Sequence, residues 1–274
     1  MNKKIMASVL IIGQNSEKIL RRCLDSLVNF QEVVFIDGGS TDKTESIART
    51  YPNVKFIYNK WPGFIPQRNI SIDHATLDWC FMIDSDEKLT PELEAEIRSI
   101  VEKNDHSTVL YRVVRTEYFE GKAIESGHGR SDYQERLFLR SRVRYTGGNH
   151  HEHLIDGKPT KEVPYLIKNI NPKLRVLHDP DYRYEDMVTK LPRFTLLIGA
   201  EKFKKGRNVS FIEIIFTFVW TTIRLSWKSR KMGSQGLILA LMKAYNDSLA
   251  KTYIYVLQNF RKDQTDKIDR KYLG

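Results

Sequence analysis

Cysteine is nearly absent. The 274 residues contain two, Cys23 within a helical pattern and Cys80 within an apolar strand pattern. Their placement predicts two buried thiols, excludes a disulfide framework and fits a reducing compartment. Glycine (15) and proline (9) are sparse and no internal repeat is visible, which excludes fibrous and low-complexity classes. Long hydrophobic runs are missing too. The most apolar stretch, Phe211–Trp220, contains Glu213 and is soon followed by Arg224. It falls short of the roughly 20 residues that a membrane span needs. The N-terminus, Met1-Asn2-Lys3-Lys4-Ile5-Met6-Ala7-Ser8, shows no extended apolar region or small-residue cleavage site, and reads as a cytosolic start. No Gly-x-Gly-x-x-Gly follows the first strand pattern and no Walker Gly-Lys-Ser/Thr occurs. Both absences argue against a dinucleotide oxidoreductase and a P-loop NTPase.

What is present is an ordinary globular composition, 41% hydrophobic and 28% charged, long enough for one large domain plus an appendage. The net charge of +10 is uneven: residues 181–274 hold 18 Lys and Arg against 9 Asp and Glu, which leaves residues 1–180 nearly neutral. A basic tail on a neutral domain points to an anionic surface, either lipid headgroups or nucleic acid.

Along the chain, Ser8–Ile12 reads as a strand, followed by Gly13-Gln14-Asn15 and by Ile19, Leu20, Cys23, Leu24 and Leu27 at helical spacing. Glu32–Ile36 is a second strand, stopped by the turn cluster Asp37-Gly38-Gly39-Ser40-Thr41-Asp42. Val54–Tyr58 is a third and leads into Trp61-Pro62-Gly63-Phe64, with a helix carrying Gln67, Arg68 and Asn69 near its start. Trp79–Ile83, the most apolar strand, runs into Asp84-Ser85-Asp86; Thr90-Pro91-Glu92 then supplies a cap, an N1 proline and an acidic first turn. Strands alternating with helices imply an α/β domain with a mainly parallel sheet. Beyond about residue 107 the pattern changes to short strands, Val109–Val114 and Arg136–Arg140 among them, and from Tyr184 helical spacing returns near 184–204, 210–228 and 236–258. The expected division is a catalytic domain over residues 1–180 and a basic helical segment over residues 181–274.

In an open α/β sheet the ligand lies beyond the carboxyl ends of the strands, where Asp37, Asp84 and Asp86 all fall. Asp84-x-Asp86 offers two hard carboxylates suited to Mg²⁺ or Mn²⁺ held against a diphosphate, or else a capped loop. Asp-x-Asp recurs at Asp179-Pro180-Asp181, but there in a proline-containing turn context. Asp37 is either a turn residue or a nucleoside contact. Arg68, near a helix start, could contact phosphate, with Gln67 beside it, or the pair could belong to a structured loop.

These motifs, taken in order, resemble a family 2 glycosyltransferase of the GT-A fold. The elements are Gln14-Asn15-Ser16-Glu17, Ile36 to Asp42, Trp61 to Asn69 and Ile83-Asp84-Ser85-Asp86-Glu87. Farther on, Asp132-Tyr133-Gln134-Glu135-Arg136-Leu137-Phe138, His151-Glu152 and Leu177-His178 resemble a subgroup close to lipopolysaccharide-core β-glucosyltransferases. The resemblance implies inverting transfer from a UDP-linked sugar to a lipopolysaccharide-core or other envelope saccharide, free or lipid-linked. It places Asn15, Glu17, Asp37, Gln67, Arg68, Asp84 and Asp86 at the nucleotide sugar, and Asp84, Asp86 and His178 at a Mn²⁺ or Mg²⁺ ion. Gly13-Gln14-Asn15 stands where the family more often has Thr-Lys-Asn, and Gly38 where Ser is common, so base recognition differs in detail.

Inverting transfer needs a carboxylate to take the acceptor hydroxyl's proton. Glu152 and Asp132 are the candidates, Glu152 preferred, with a structural role for both as the alternative. His150, His151 and His153 flank Glu152, but the spacing is not His-Glu-x-x-His and no cysteine is near, which argues against zinc. His178 either completes the Mn²⁺ site or is a hydrogen-bonded loop residue. The Phe211–Trp220 run is a packing helix or an interfacial one flanked by Arg207, Arg224, Lys228, Arg230 and Lys231. The expected location is cytoplasmic, either free or peripheral on the inner face of the cytoplasmic membrane. Two rival readings are a sugar-1-phosphate nucleotidyltransferase and a basic nucleic-acid-binding module. The first lacks an early glycine-rich, basic triphosphate loop. The second has its aromatics in apolar patterns rather than among the basic residues, so nucleic acid is not expected as a partner.

Overall fold

The computed structural model of the chain describes residues 3–119, 122–123, 133–146, 152–178, 188 and 191–261. The chain forms two compact units, whose described parts are residues 3–178 and residues 188–261.

In the first unit, β1 (Ile5–Gly13), β2 (Phe30–Asp37), β3 (Val54–Tyr58) and β4 (Trp79–Met82) run parallel in the order β3-β2-β1-β4. Nearly every residue of β1 and β4 is buried, so both faces of the sheet are covered, as a parallel sheet requires. Helices α3 (Phe64–His74) and α4 (Pro91–Lys103) pack on β1; the shorter α1 (Leu20–Asp25) and α2 (Thr44–Ala48) pack on each other. The α4 helix shows why such local sequence folds where it does. Its cap, Thr90, accepts a hydrogen bond from the Leu93 amide at 3.3 Å, and Leu93, Ile97, Ile100 and Val101 form its buried stripe. At its other end Asn104 turns left-handed (φ 46°), and its side chain accepts from the indole of buried Trp79 at 3.0 Å.

Past β4 the sheet becomes mixed. The remaining strands of the unit are β5 (Glu87–Leu89), β6 (Leu110–Phe119), β7 (Lys122–Ala123), β8 (Tyr133–Leu139), β9 (Val143–Thr146), β10 (Glu152–Ile155), β11 (Lys158–Pro159), β12 (Ile167–Asn169) and β13 (Arg175–His178). The sheet continues β4-β8-β6-β13-β5, with β8 antiparallel to both neighbours and β13 parallel to β6. A small separate sheet has the order β11-β10-β9. Parallel register brings Gly13 beside Asp37 and Asp37 beside Tyr58, and the Ile83 amide donates to Leu10 at 3.1 Å. Residues 14–17, 38–42, 59–63 and 84–86 therefore rise together from one edge of the sheet.

The second unit holds α5 (Leu191–Lys204), α6 (Phe211–Lys228) and α7 (Gly233–Phe260), with both α5 and α6 packed on α7. Residues 184–187, where helical spacing was expected to begin, lie outside the described residues. Glu213 interrupts the apolar run because it is paired inward: it accepts from Lys251 at 2.7 Å and also bonds Arg207. The Lys251 hydrogen bond holds its carboxyl below the ordinary value. Both cysteines are free and buried, and burial pushes the Cys80 thiol up to about 12.

Gly236 closes the α6–α7 turn, where a Cβ would sit 2.4 Å from the Ser229 carbonyl oxygen, so even alanine forces backbone apart. Gly236→Ala is expected to destabilise the protein by about 1–3 kcal/mol, the usual cost of overpacking. Urea unfolding followed by circular dichroism checks this, with the exposed Ser234→Ala as a near-neutral control.

Candidate active site

The loops after β1 and β2 are sewn together by the residues singled out from sequence. Asp37 is 3% exposed, and its carboxylate accepts from the amides of Gly39 (3.0 Å) and Ser40 (2.9 Å) and from the Ser40 hydroxyl. Asn15 sits left-handed (φ 53°), a conformation asparagine tolerates, and accepts from the Thr41 amide at 2.8 Å. Its own amide donates to Ser40 Oγ at 2.8 Å. Glu17 accepts from the Lys43 amide at 3.0 Å, while the Glu17 amide donates to Asp42 at 3.1 Å. Asn15, Glu17 and Asp37 thus meet at one strand-end edge and shape its loops. Gln67 is fully buried and exchanges hydrogen bonds with Asn59, fixing the entry to α3.

The turn after β4 rests on a buried charge network. Arg68 Nη2 donates to Asp84 Oδ1 at 3.0 Å, and Arg136 Nη2 lies 3.7 Å from Asp84 Oδ2. Burial opposes the charge on Asp84, but Arg68 and then Arg136 outweigh it and hold the carboxyl below its ordinary value. Beneath them Glu87, wholly buried, accepts from Arg136 Nη2 at 2.6 Å and from the Asp84 amide at 2.9 Å, with Arg115 Nη1 3.8 Å away. Burial pushes the Glu87 carboxyl up to about 7, against the pull of Arg136 and with the push of the Asp84 charge. Arg136 also donates to Gln134 Oε1 at 2.6 Å and to the Met82 carbonyl at 3.3 Å. Ser85 Oγ lies 3.0 Å from Ser16 Oγ, tying this turn to the β1 loop.

Asp86 points elsewhere. Its Oδ2 is 3.2 Å from Nε2 of His178, the last residue of β13, which the ladder sets opposite Glu87. Among the described residues no group of three or more His, Cys, Asp and Glu side chains is placed to hold a metal ion. One carboxylate and one imidazole, completed by diphosphate oxygens and water, still fit Mn²⁺ or Mg²⁺ held jointly with a nucleotide. The sequence reading grouped Asp84 with them; here both Asp84 oxygens face arginines.

Asp132, His150 and His151 lie outside the described residues. Glu152 opens β10 opposite Thr146, and its side chain is likewise outside them. Its neighbour His153 is buried, with Nδ1 against the Glu135 carboxylate and its ring 4.1 Å from that of Tyr145. The Arg68 guanidinium lies 5.3 Å over the same tyrosine ring. Glu135 also accepts from Arg112 at 2.7 Å; burial opposes its charge, but His153 and Arg112 outweigh that and keep its carboxyl low. A packed path thus runs from β10 to the Asp84 turn. Sequence reasoning missed Glu87, Arg115 and Arg136 as site residues. The signal within reach was an arginine leading into the apolar run Leu137-Phe138-Leu139 and an acid directly after Asp84-Ser85-Asp86.

The sequence pattern of glycosyl transferase family 2 matches residues 8–157. The lipopolysaccharide core biosynthesis glycosyltransferase LpsC of Rhizobium meliloti is 27% identical over 92% of this chain and 93% of its own length. An uncharacterized glycosyltransferase of Rickettsia typhi is 36% identical over 89% and 84%. The mannosyltransferase PcManGT from Pyrobaculum calidifontis, solved in complex with GDP-Man and Mn²⁺, shares the fold. Its TM-score is 0.52 over 95% of this chain and 88% of that one, at 13% identity.

Because the Glu135 carboxyl is depressed in the folded state, its stabilisation is complete above the ordinary glutamate value of about 4.3 and fades as pH falls through the lower folded value. Glu135→Gln should therefore cost about 2 kcal/mol at neutral pH, where it removes charged hydrogen bonds, and progressively less in acid. Urea midpoints of both proteins between neutral and acidic pH test this, and a gap that does not narrow in acid contradicts it.

Proposed function

This chain belongs to glycosyl transferase family 2 and is a nucleotide-sugar-dependent glycosyltransferase of the GT-A fold; from that premise we propose an inverting, divalent-cation-dependent enzyme with a UDP-linked donor. The family match leaves the nucleotidyltransferase and nucleic-acid readings without support. The acceptor proposed is a lipopolysaccharide-core or related envelope saccharide, by likeness to the Rhizobium meliloti relative, met on the cytoplasmic side of an anionic membrane surface. No helix among the described residues is long and apolar enough to cross a membrane.

The observation that carries this reading is the divergence of the two aspartates after β4. Asp86 faces His178, and Asp84 is held between Arg68 and Arg136. In the proposed complex Asp86 and His178 hold Mn²⁺ or Mg²⁺, which when bound neutralises charge on the leaving diphosphate. Arg68 and Arg136, beside Asp84, bias the same edge toward an anion. The Asn15–Thr41 and Glu17–Lys43 bonds fix the loops beside the nucleoside before it arrives, so little ordering remains for binding to supply. Glu152 takes the acceptor hydroxyl's proton as that oxygen attacks the anomeric carbon from the face opposite the leaving group, which inverts the configuration. Asp132 is the second choice for that role.

Asp86→Ala should lower transfer about a hundredfold or more, since a catalytic cation supplies several kcal/mol of charge stabilisation, while thermal unfolding stays near wild type. Turnover against Mn²⁺ concentration reads this, and an unchanged metal dependence in Asp86→Ala sinks the metal assignment.

Glu152→Gln should lose about 10²–10⁴-fold in transfer with donor affinity nearly unchanged, because the amide keeps shape but not basicity. Transfer at saturating donor, set beside donor calorimetry, distinguishes the roles. A dead Asp132→Asn with an active Glu152→Gln would move the base to Asp132.

A further inference from the structure

Helix α6 is apolar on its exposed side and mixed, with several threonines, on its covered side. The covered positions include Thr217, Thr221 and Leu225, with Thr217 accepting from Lys251 Nζ at 2.8 Å. The exposed side carries Ile212, Phe216, Trp220, Ile223 and Trp227, of which Ile212 is 78% and Trp227 70% exposed. Their spacing of four, four, three and four residues sets them in one stripe along the helix. On the neighbouring helix α7, Leu241 and Tyr245 are exposed as well. Water is a poor environment for such a surface, and a continuous apolar patch of this kind marks an interaction site.

We propose that this stripe of α6 is a monotopic docking face that lies in the headgroup region of an anionic lipid bilayer. The proposal deepens the membrane-surface reading above and rests on it. Three observations select lipid over other occupants. Arg224 and Lys228 each follow a stripe residue by one position, about 100° around the helix, so cations edge the apolar stripe. The Arg230 guanidinium stacks 4.9 Å over the Trp227 ring, an aromatic and a cation held together at one end of the helix. Tryptophan and basic side chains suit the headgroup level, where one part of each group is apolar and another wet. The surrounding tail is basic, 18 Lys and Arg against 9 Asp and Glu in residues 181–274, which complements anionic lipid.

The test uses the full chain with phosphatidylglycerol–phosphatidylcholine vesicles and with pure phosphatidylcholine vesicles. Wild-type protein should co-sediment with the anionic vesicles, keep part of that binding in high salt, and have its tryptophan emission quenched by brominated lipid. Replacing Trp220 and Trp227 by serine should weaken binding about tenfold or more at any salt, since partition follows buried apolar area. Replacing Arg224, Lys228 and Arg230 by glutamine should weaken it about fivefold per residue at low salt and little at high salt. The phenylalanine variants of the two tryptophans keep the face apolar, so they should retain binding and lose the quenching. The proposal is overturned if wild type ignores anionic vesicles, if the serine variants bind as wild type does, or if brominated lipid leaves the emission unchanged. A concentration-dependent dimer without vesicle binding, lost in the serine variants, also overturns it and makes the stripe a contact between copies. Donor hydrolysis without vesicles separates the two readings. Intact hydrolysis with no vesicle binding removes only the docking face, whereas binding and quenching with no nucleotide-sugar turnover sustain the face and count against the transferase reading.

Discussion

The buried Arg136–Glu87 ion pair is the constraint on which the site depends. Charges withdrawn from water this far are tolerated only when their remaining hydrogen-bonding capacity is met, because desolvation otherwise exceeds the attraction. Here Glu87 accepts from both Arg136 and the Asp84 amide, and Arg136 also reaches Gln134 and the Met82 carbonyl. The pair therefore holds the backbone of the Asp84–Asp86 turn as well as two side chains. It joins β8 to the end of β4, and so links the mixed half of the sheet to the parallel half at the point where ligand chemistry is expected. With the turn fixed, the two aspartates face different partners. The cluster also carries a surplus of one sign: Arg68, Arg115 and Arg136 surround Asp84 and Glu87, and burial pushes Glu87 toward its neutral form. A diphosphate would meet a local excess of positive charge supplied by groups already held in place.

Much of the fold was legible because it obeys local periodicity. The third strand, Val54–Tyr58, coincides with its expected span, and the strands expected at 8–12 and 32–36 extend by only a few residues, to Ile5–Gly13 and Phe30–Asp37. The Thr90-Pro91 start is a helix start, and the tail helices at Phe211–Lys228 and Gly233–Phe260 lie close to the spans that spacing suggested. The strand expected at 136–140 begins earlier, at Tyr133, and ends at Leu139, with Arg140 in a turn. Polar Gln134 and Glu135 obscured that start in the sequence because their partners are internal, Arg136 and Arg112 respectively.

The site was legible only in part, and the reason is physical. The common edge of Asp37, Asp84 and Asp86 could be read because the strand ends of a parallel sheet are legible in sequence. The partners could not be read that way. Arg136 meets Glu87 across 49 residues of chain, a pairing that no period or motif encodes, and His178, 92 residues from Asp86, was set beside it only by the family resemblance. The same gap grouped Asp84 and Asp86 as equivalent ligands. The expectation put both at one ion, whereas a turn stabilised by Glu87 sets them against different partners.

The departures from the family pattern, at Gly13-Gln14 and at Gly38, look independent in the sequence, but Gln14 and Gly38 are one feature in space. A Cβ on Gly38 would lie 3.1 Å from Cε3 of Trp61 and 3.5 Å from the Gln14 Cβ, so the glycine makes room for that ring. Trp61 in turn meets Phe64 edge-on at 4.9 Å, just after Gly63 turns the chain at φ 112°. Gln14 Nε2 donates to the Gly39 carbonyl at 3.3 Å across the same gap. A serine at position 38 would press on the indole and tend to displace the loop that precedes α3, which carries Gln67 and Arg68. Glycine at 38, glutamine at 14 and tryptophan at 61 thus fit as a set. The surface beside Asp37 is set by how the Trp61 ring seats on Gly38.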